Sequence, residues 1–152
     1  LRRRCVCKWG LESSDRSGAI SELLSQMPDL EKRRRQLLQT ALESREQAGA
    51  TVVHEGVSMP HCRSILVDDF LIAVGKSADG VAWPDEKVRI VILFISPVKP
   101  GGPEEHSELI RHFASRLRDG GAEKLFDAGG PSELADMLGL EILESETDES
   151  GS

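Results

Sequence analysis

Val88-Arg89-Ile90-Val91-Ile92-Leu93-Phe94-Ile95 is the stretch on which the fold turns. It is nearly continuous in branched apolar side chains. An amphipathic strand would alternate, so this pattern predicts a central strand buried on both faces. A second strand is expected over Phe70 to Lys76. The connection between the two holds Gly80 and Pro84 and shows no helical period, so a purely parallel sheet is not expected.

Upstream, Cys5 to Leu11 reads as a first strand. Ser14 or Asp15 can cap a short helix carrying Ile20, Leu23, Leu24 and Met27, which Pro28 stops. Asp29 is the expected cap of a second helix running to about Ala48, with Gly49 after it and a stripe of Leu30, Leu37, Leu38, Ala41 and Leu42 turned inward. Short extended pieces follow at Thr51 to Val53 and Val57 to Met59. Beyond the loop Pro97 to Pro103, helices are expected at Glu104 to Arg118, Ala122 to Asp127 and Ser132 to Leu138. Strands alternating with helices define an α/β sandwich, here a mixed β-sheet with helices on both faces.

The 152 residues suit one domain, placed at 1–140, followed by an acidic, disordered tail at 141–152. The formal charge is -7, and the tail alone carries Glu141, Glu144, Glu146, Asp148 and Glu149; without those five it is -2. Aromatic residues make up 4%, too few for a platform that stacks single-stranded nucleic acid. Lys32 to Arg35 is read as the solvated face of a helix, not as a nucleic-acid patch. Cys5, Cys7 and Cys62 form no metal-finger spacing and no disulfide framework, so a reducing, cytoplasmic compartment is expected, without metal or cofactor. No apolar run approaches a membrane span, and Arg2-Arg3-Arg4 leads into no signal-like segment. The chain begins at Leu1 rather than Met, which fits excision from a longer protein or a trimmed end.

Three residues stand out chemically. His61 follows Pro60 at the end of an extended piece beside a turn, a place well suited to reaction. His106 falls in the arc of Leu109, Ile110, Phe113, Ala114 and Leu117, so it sits inward at a helix N-terminus, where an anion is favoured. His112 lies off that arc and is expected to be exposed. Arg45 continues the stripe of Leu38, Ala41 and Leu42, which points a guanidinium toward the core side. Either a carboxylate, from Glu46 or Asp68, or a phosphate suits such a group.

Arg45-Glu46, the Gly49-Ala50-Thr51 step and Glu55-Gly56-Val57-Ser58-Met59-Pro60-His61-Cys62 together resemble the type-2 enzyme IIA domains of the bacterial phosphoenolpyruvate:sugar phosphotransferase system, the mannitol, fructose and nitrogen-regulatory class. The long apolar strand and the helix opening with His106 agree, and the likeness runs from about Leu11 to Leu138. Three positions depart from the usual pattern: His54 for a small residue, Ser58 for alanine and Cys62 for glycine. The resemblance implies a phosphotransferase component that forms a phosphohistidine at His61. The donor would be a histidine-containing phosphocarrier protein. The acceptor would be a IIB domain, or the phosphate would signal to a regulated kinase or transporter. Arg45 and His106 would stabilise the phosphoryl group. An interaction module of the same fold, like the cytoplasmic domains of anion exchangers, is the alternative.

Overall fold

The long apolar stretch forms the middle of β6 (Glu86–Pro97), and its alternate residues divide the molecule into two cores. Ile90, Ile92 and Phe94 enter one cluster; Val91, Leu93 and Ile95 enter the other. That division follows from the strand period of two, with both faces covered. In the computed structural model residues 2–143 are described. The remaining elements are β1 (Arg3–Lys8), α1 (Arg16–Leu24), α2 (Lys32–Ala48), β2 (Val52–His54), β3 (Val57–Ser58), β4 (His61–Ser64), β5 (Leu71–Trp83), α3 (Gly102–Leu117), α4 (Gly121–Phe126), α5 (Pro131–Met137) and β7 (Leu140–Ile142).

The sheet is mixed, with strand order β2-β3-β6-β5-β1-β7 and β4 also beside β6. β5 and β6 form an antiparallel hairpin and β2 pairs antiparallel with β3, whereas β3 and β4 run parallel to β6, and β1 runs parallel to β5 and β7. Helices α3, α4 and α5 cover one face through Leu109, Phe113, Leu125 and Leu134. Helices α1 and α2 cover the other through Ile20, Leu23, Leu38 and Leu42. Among the described residues no helix is long and apolar enough to cross a membrane.

Several expectations change in detail. Asp15 does cap α1, accepting from the Gly18 amide at 2.8 Å. Asp29 does not cap α2: it adopts a φ of 59°, a conformation Asp tolerates better than most residues, and its carbonyl accepts from Arg34 at 2.8 Å. The cap position falls to Glu31, whose side chain makes no capping hydrogen bond and pairs instead with Arg34 at 3.5 Å. The inward row of α2 is Leu38, Leu42 and Glu46, while Leu37 is 47% exposed and Ala41 is exposed. His112 is half-buried rather than exposed, because its Nε2 and the Leu138 carbonyl share a hydrogen bond of 2.8 Å.

Two short strands, β4 and β7, carry no periodic signal of their own. β7 takes Glu141 and Ile142 into the sheet beside Arg4 and Cys5, and the Leu143 amide donates to the Cys5 carbonyl at 2.7 Å. The ordered domain thus runs past the expected end at residue 140. The rest of the expected tail, 144–152, lies outside the described residues.

Candidate functional site

β3 and β4 lie end to end along one side of β6. Val57 pairs with Ile90 and Ser58 with Val91; then His61 pairs with Phe94 and Arg63 with Ser96. Met59 and Pro60 bridge the break. Proline brings no N–H to a ladder, and here its carbonyl accepts from the Phe94 amide at 3.1 Å. His61 is therefore the first residue of β4, not the end of the preceding piece.

Register decides what His61 meets. Its neighbour Phe94 points toward α3, so His61 points there too. The two rings stack with centroids 5.1 Å apart and planes 9° apart. His106, near the start of α3, closes the group at 5.4 Å from His61 and 5.2 Å from Phe94. The Nδ1 of His106 and the Oγ of fully buried Ser96 share a hydrogen bond of 2.5 Å.

The His61 ring is oriented by its own backbone. Nδ1 donates to the Met59 carbonyl at 2.6 Å, which fixes the proton on Nδ1 and leaves Nε2 with its lone pair. Burial holds the His61 pKa below the ordinary histidine value, opposed by the Met59 bond; the charge of Arg45 lowers it further and that of Glu46 raises it. His106 is pushed down to about 4, first by burial and then by the charges of His61 and Arg63. Both imidazoles are neutral at pH 7.

Arg63 escaped the reading of the sequence. Two residues beyond His61 on one strand, it shares the face of His61. Its guanidinium lies 3.0 Å from where a Cβ on Gly102 would sit, beside the first turn of α3. No carboxylate neutralises it among the described residues. The period-two spacing from His61 is the signal that could have found it. Ser96, two residues past Phe94, was legible by the same rule.

Arg45 is a correction. It is exposed in the last turn of α2 and donates to the Gly49 carbonyl at 2.8 Å, rather than pointing into the core. Neither Glu46 nor Asp68 pairs with it; the inward place belongs to Glu46. The charge of Arg45 nonetheless acts on His61, lowering the pKa of that imidazole. The structure thus brings His61, His106 and the charge of Arg45 together and adds Arg63.

The three departures lie apart from this cluster. Cys62 points to the opposite face, against the α1–α2 core, and burial pushes its thiol up to about 11. His54 turns its Nδ1 to the Glu55 carbonyl at 3.0 Å. Ser58 is fully buried, and its Oγ has no partner among the described residues.

A neutral imidazole with one bare nitrogen, beside a second imidazole and with the charges of Arg45 and Arg63 acting on the pair, suits an anionic electrophile. The chain belongs to the family of the phosphoenolpyruvate-dependent sugar phosphotransferase system, EIIA 2, whose sequence pattern matches residues 4–139. It is 24% identical over 141 residues to the PTS system fructose-specific EIIABC component of Bacillus subtilis (strain 168), which covers 91% of this chain and 22% of that protein. It is 27% identical over 108 residues to the PTS system fructose-specific EIIA component of Haloferax volcanii, covering 68% of each. The chain thus spans about a fifth of the length of the Bacillus relative. In fold it is similar to the nitrogen regulatory protein IIA-Ntr from Neisseria meningitidis, with a TM-score of 0.77 at 20% identity over 87% of this chain and 92% of that one.

Proposed function

We propose that this domain is a phosphocarrier in which Nε2 of His61 accepts a phosphoryl group from the phosphohistidine of a small carrier protein. The observation that carries this reading is the Nδ1–Met59 bond, which leaves Nε2 as the single nucleophilic nitrogen of a neutral ring. In the transfer, the Nε2 lone pair forms a bond to phosphorus. The donor's P–N bond breaks, and its electron pair stays on the departing imidazole. The proton stays on Nδ1, which goes on donating to the Met59 carbonyl.

Phosphoryl transfer needs positioning and charge stabilisation more than covalent elaboration. Arg63 and Arg45 neutralise the equatorial oxygens with charge-assisted hydrogen bonds. His106 donates from Nε2 when the Ser96 hydroxyl donates to its Nδ1. The group then passes to a IIB domain, commonly to a cysteine: the thiolate attacks phosphorus, the P–Nε2 bond breaks and neutral His61 is restored. A regulatory use, in which phospho-His61 signals to a kinase or transporter, employs the same chemistry. We place the domain in the cytoplasm, where the phosphohistidine donor resides. Membership of the EIIA 2 family favours this carrier over the anion-exchanger-like module.

The test is intact mass after incubation with phosphoenolpyruvate, enzyme I and the histidine carrier protein, with His61→Ala alongside. An acid-labile gain of one phosphate on the wild type alone is the expected result. Equal gain on His61→Ala, or none on the wild type while the carrier is phosphorylated, overturns the proposal.

A further inference from the structure

The buried carboxylate of Glu46 has no part in the transfer just described, yet it begins a line of hydrogen bonds that ends on the His61 ring. We infer that Glu46 is a positioning residue for His61, acting through Thr51 and the backbone of Met59. This inference rests on His61 as the phosphoryl acceptor.

A carboxylate taken out of water is costly unless paired and hydrogen-bonded. The Glu46 side chain is 0% exposed, with Arg16 at 3.7 Å. It accepts from the Thr51 amide at 3.2 Å, from the Thr51 hydroxyl, and from Trp83 Nε1 at 3.3 Å. These donors come from the start of α1, the turn after α2 and the end of β5, so one carboxylate ties three remote segments to the last turn of α2. Thr51 is the segment that matters for His61. Its carbonyl accepts from the Met59 amide at 2.8 Å, and the Met59 carbonyl accepts from His61 Nδ1 at 2.6 Å.

The relay is needed because of where Met59 lies. β3 ends at Ser58 and β4 begins at His61, so the Met59 amide bonds to Thr51 in the break between the two segments paired with β6. Pro60 fixes its own φ and keeps Met59 extended, which narrows the range of the Met59 carbonyl; the bond of the Met59 amide to Thr51 sets where in that range it points. With Thr51 anchored, that carbonyl faces Nδ1 and selects one tautomer. With Thr51 loosened, the ring can carry its proton on either nitrogen, and only one of the two forms presents a lone pair at Nε2. A misplacement of about 1 Å far from the chemistry can cost about 100-fold in rate.

The test compares wild type, Glu46→Gln, Thr51→Val and Thr51→Ser. Glutamine cannot accept from all three donors, and valine keeps the volume of threonine without its hydroxyl. The readouts are the ring-nitrogen NMR spectrum of His61, the rate of phosphate uptake and the unfolding curve. The wild type should show a single Nδ1–H tautomer. Folded Glu46→Gln and Thr51→Val should show mixed tautomers and uptake slowed by about 10- to 100-fold; Thr51→Ser should restore the wild-type spectrum. An unchanged tautomer and rate in folded variants overturns the inference and leaves Glu46 a purely structural residue. Should both variants fail to fold, amide exchange at Met59 in the wild type decides: protection matching β6 supports the relay, and exchange as fast as in an open loop overturns it. The tautomer can be read without any phosphorylation, so failure of the carrier reading is separable from failure of this one.

Discussion

His61 and Phe94 are ladder partners on parallel strands, and their rings stack 5.1 Å apart at 9°. The stack has two causes in series: the register of β4 against β6, and the period of two that sends both side chains toward α3. Replacing Phe94 with leucine keeps most of the volume and loses the aromatic face. We predict that Phe94→Leu is less stable by about 1 kcal/mol in urea unfolding. The His61 ring-proton shifts should move at the same time, since the aromatic ring beside them is gone.

The two arginines should differ in kind from the imidazoles. In the proposed transfer each supplies charge to the phosphoryl oxygens and none of the nucleophile. A charge-assisted hydrogen bond contributes about 1.5–3 kcal/mol, so Arg63→Gln and Arg45→Gln should each slow phosphate uptake by about 10-fold or more. Arg63 is exposed and unpaired among the described residues, so Arg63→Gln should leave the unfolding midpoint in place. Single-turnover transfer from the phosphorylated carrier, alongside urea unfolding, checks both halves.

Acid should weaken the fold through His106. Its folded pKa is about 4 against an ordinary 6.5, so between those values the unfolded chain holds a proton that the folded one does not. Its contribution is fully present above 6.5 and is lost as pH falls toward about 4. His61, also lowered, acts in the same direction. The melting temperature should fall across that window, and His106→Gln should flatten the fall. Uptake should hold at pH 6.5, where an unperturbed imidazole would already be about half protonated.

Ser58 offers a gain. A hydroxyl buried in β3 without a partner carries a desolvation cost and returns nothing. Ser58→Ala should stabilise the domain by about 1 kcal/mol, read as a higher urea midpoint at constant slope. A drop in midpoint would mean that the hydroxyl has a role in packing.

The long strands and the two-sided core were legible because β6 is apolar without alternation. His61 and His106 were legible as a Pro-His step and an inward position on α3. Arg45 was misread because a step of seven places it only about 20° to one side of Leu38, whereas the buried arc extends to the other side. The row of i+4 steps, Leu38, Leu42 and Glu46, is the one that packs. A sequence reading turns away from burying a glutamate, since its partners Arg16, Thr51 and Trp83 are scattered along the chain and meet only in the fold. β4 was missed for a similar reason: four half-polar residues form a strand only because Phe94 to Pro97 are there to receive them.

The break at Met59 and Pro60 has a consequence for how the molecule keeps to itself in solution. Among the described residues β4 pairs with β6 alone, so one flank of the strand that carries His61 is an open sheet edge. Open edges invite strand addition from other copies and, at high concentration, fibrils. This edge is only four residues long, starts after an imino acid with no hydrogen to offer, has its preceding amide already occupied by Thr51, and bears a guanidinium at its third position. The histidine proposed to accept the phosphoryl group can therefore stand at the rim of a sheet on a stretch of backbone poorly suited to strand addition.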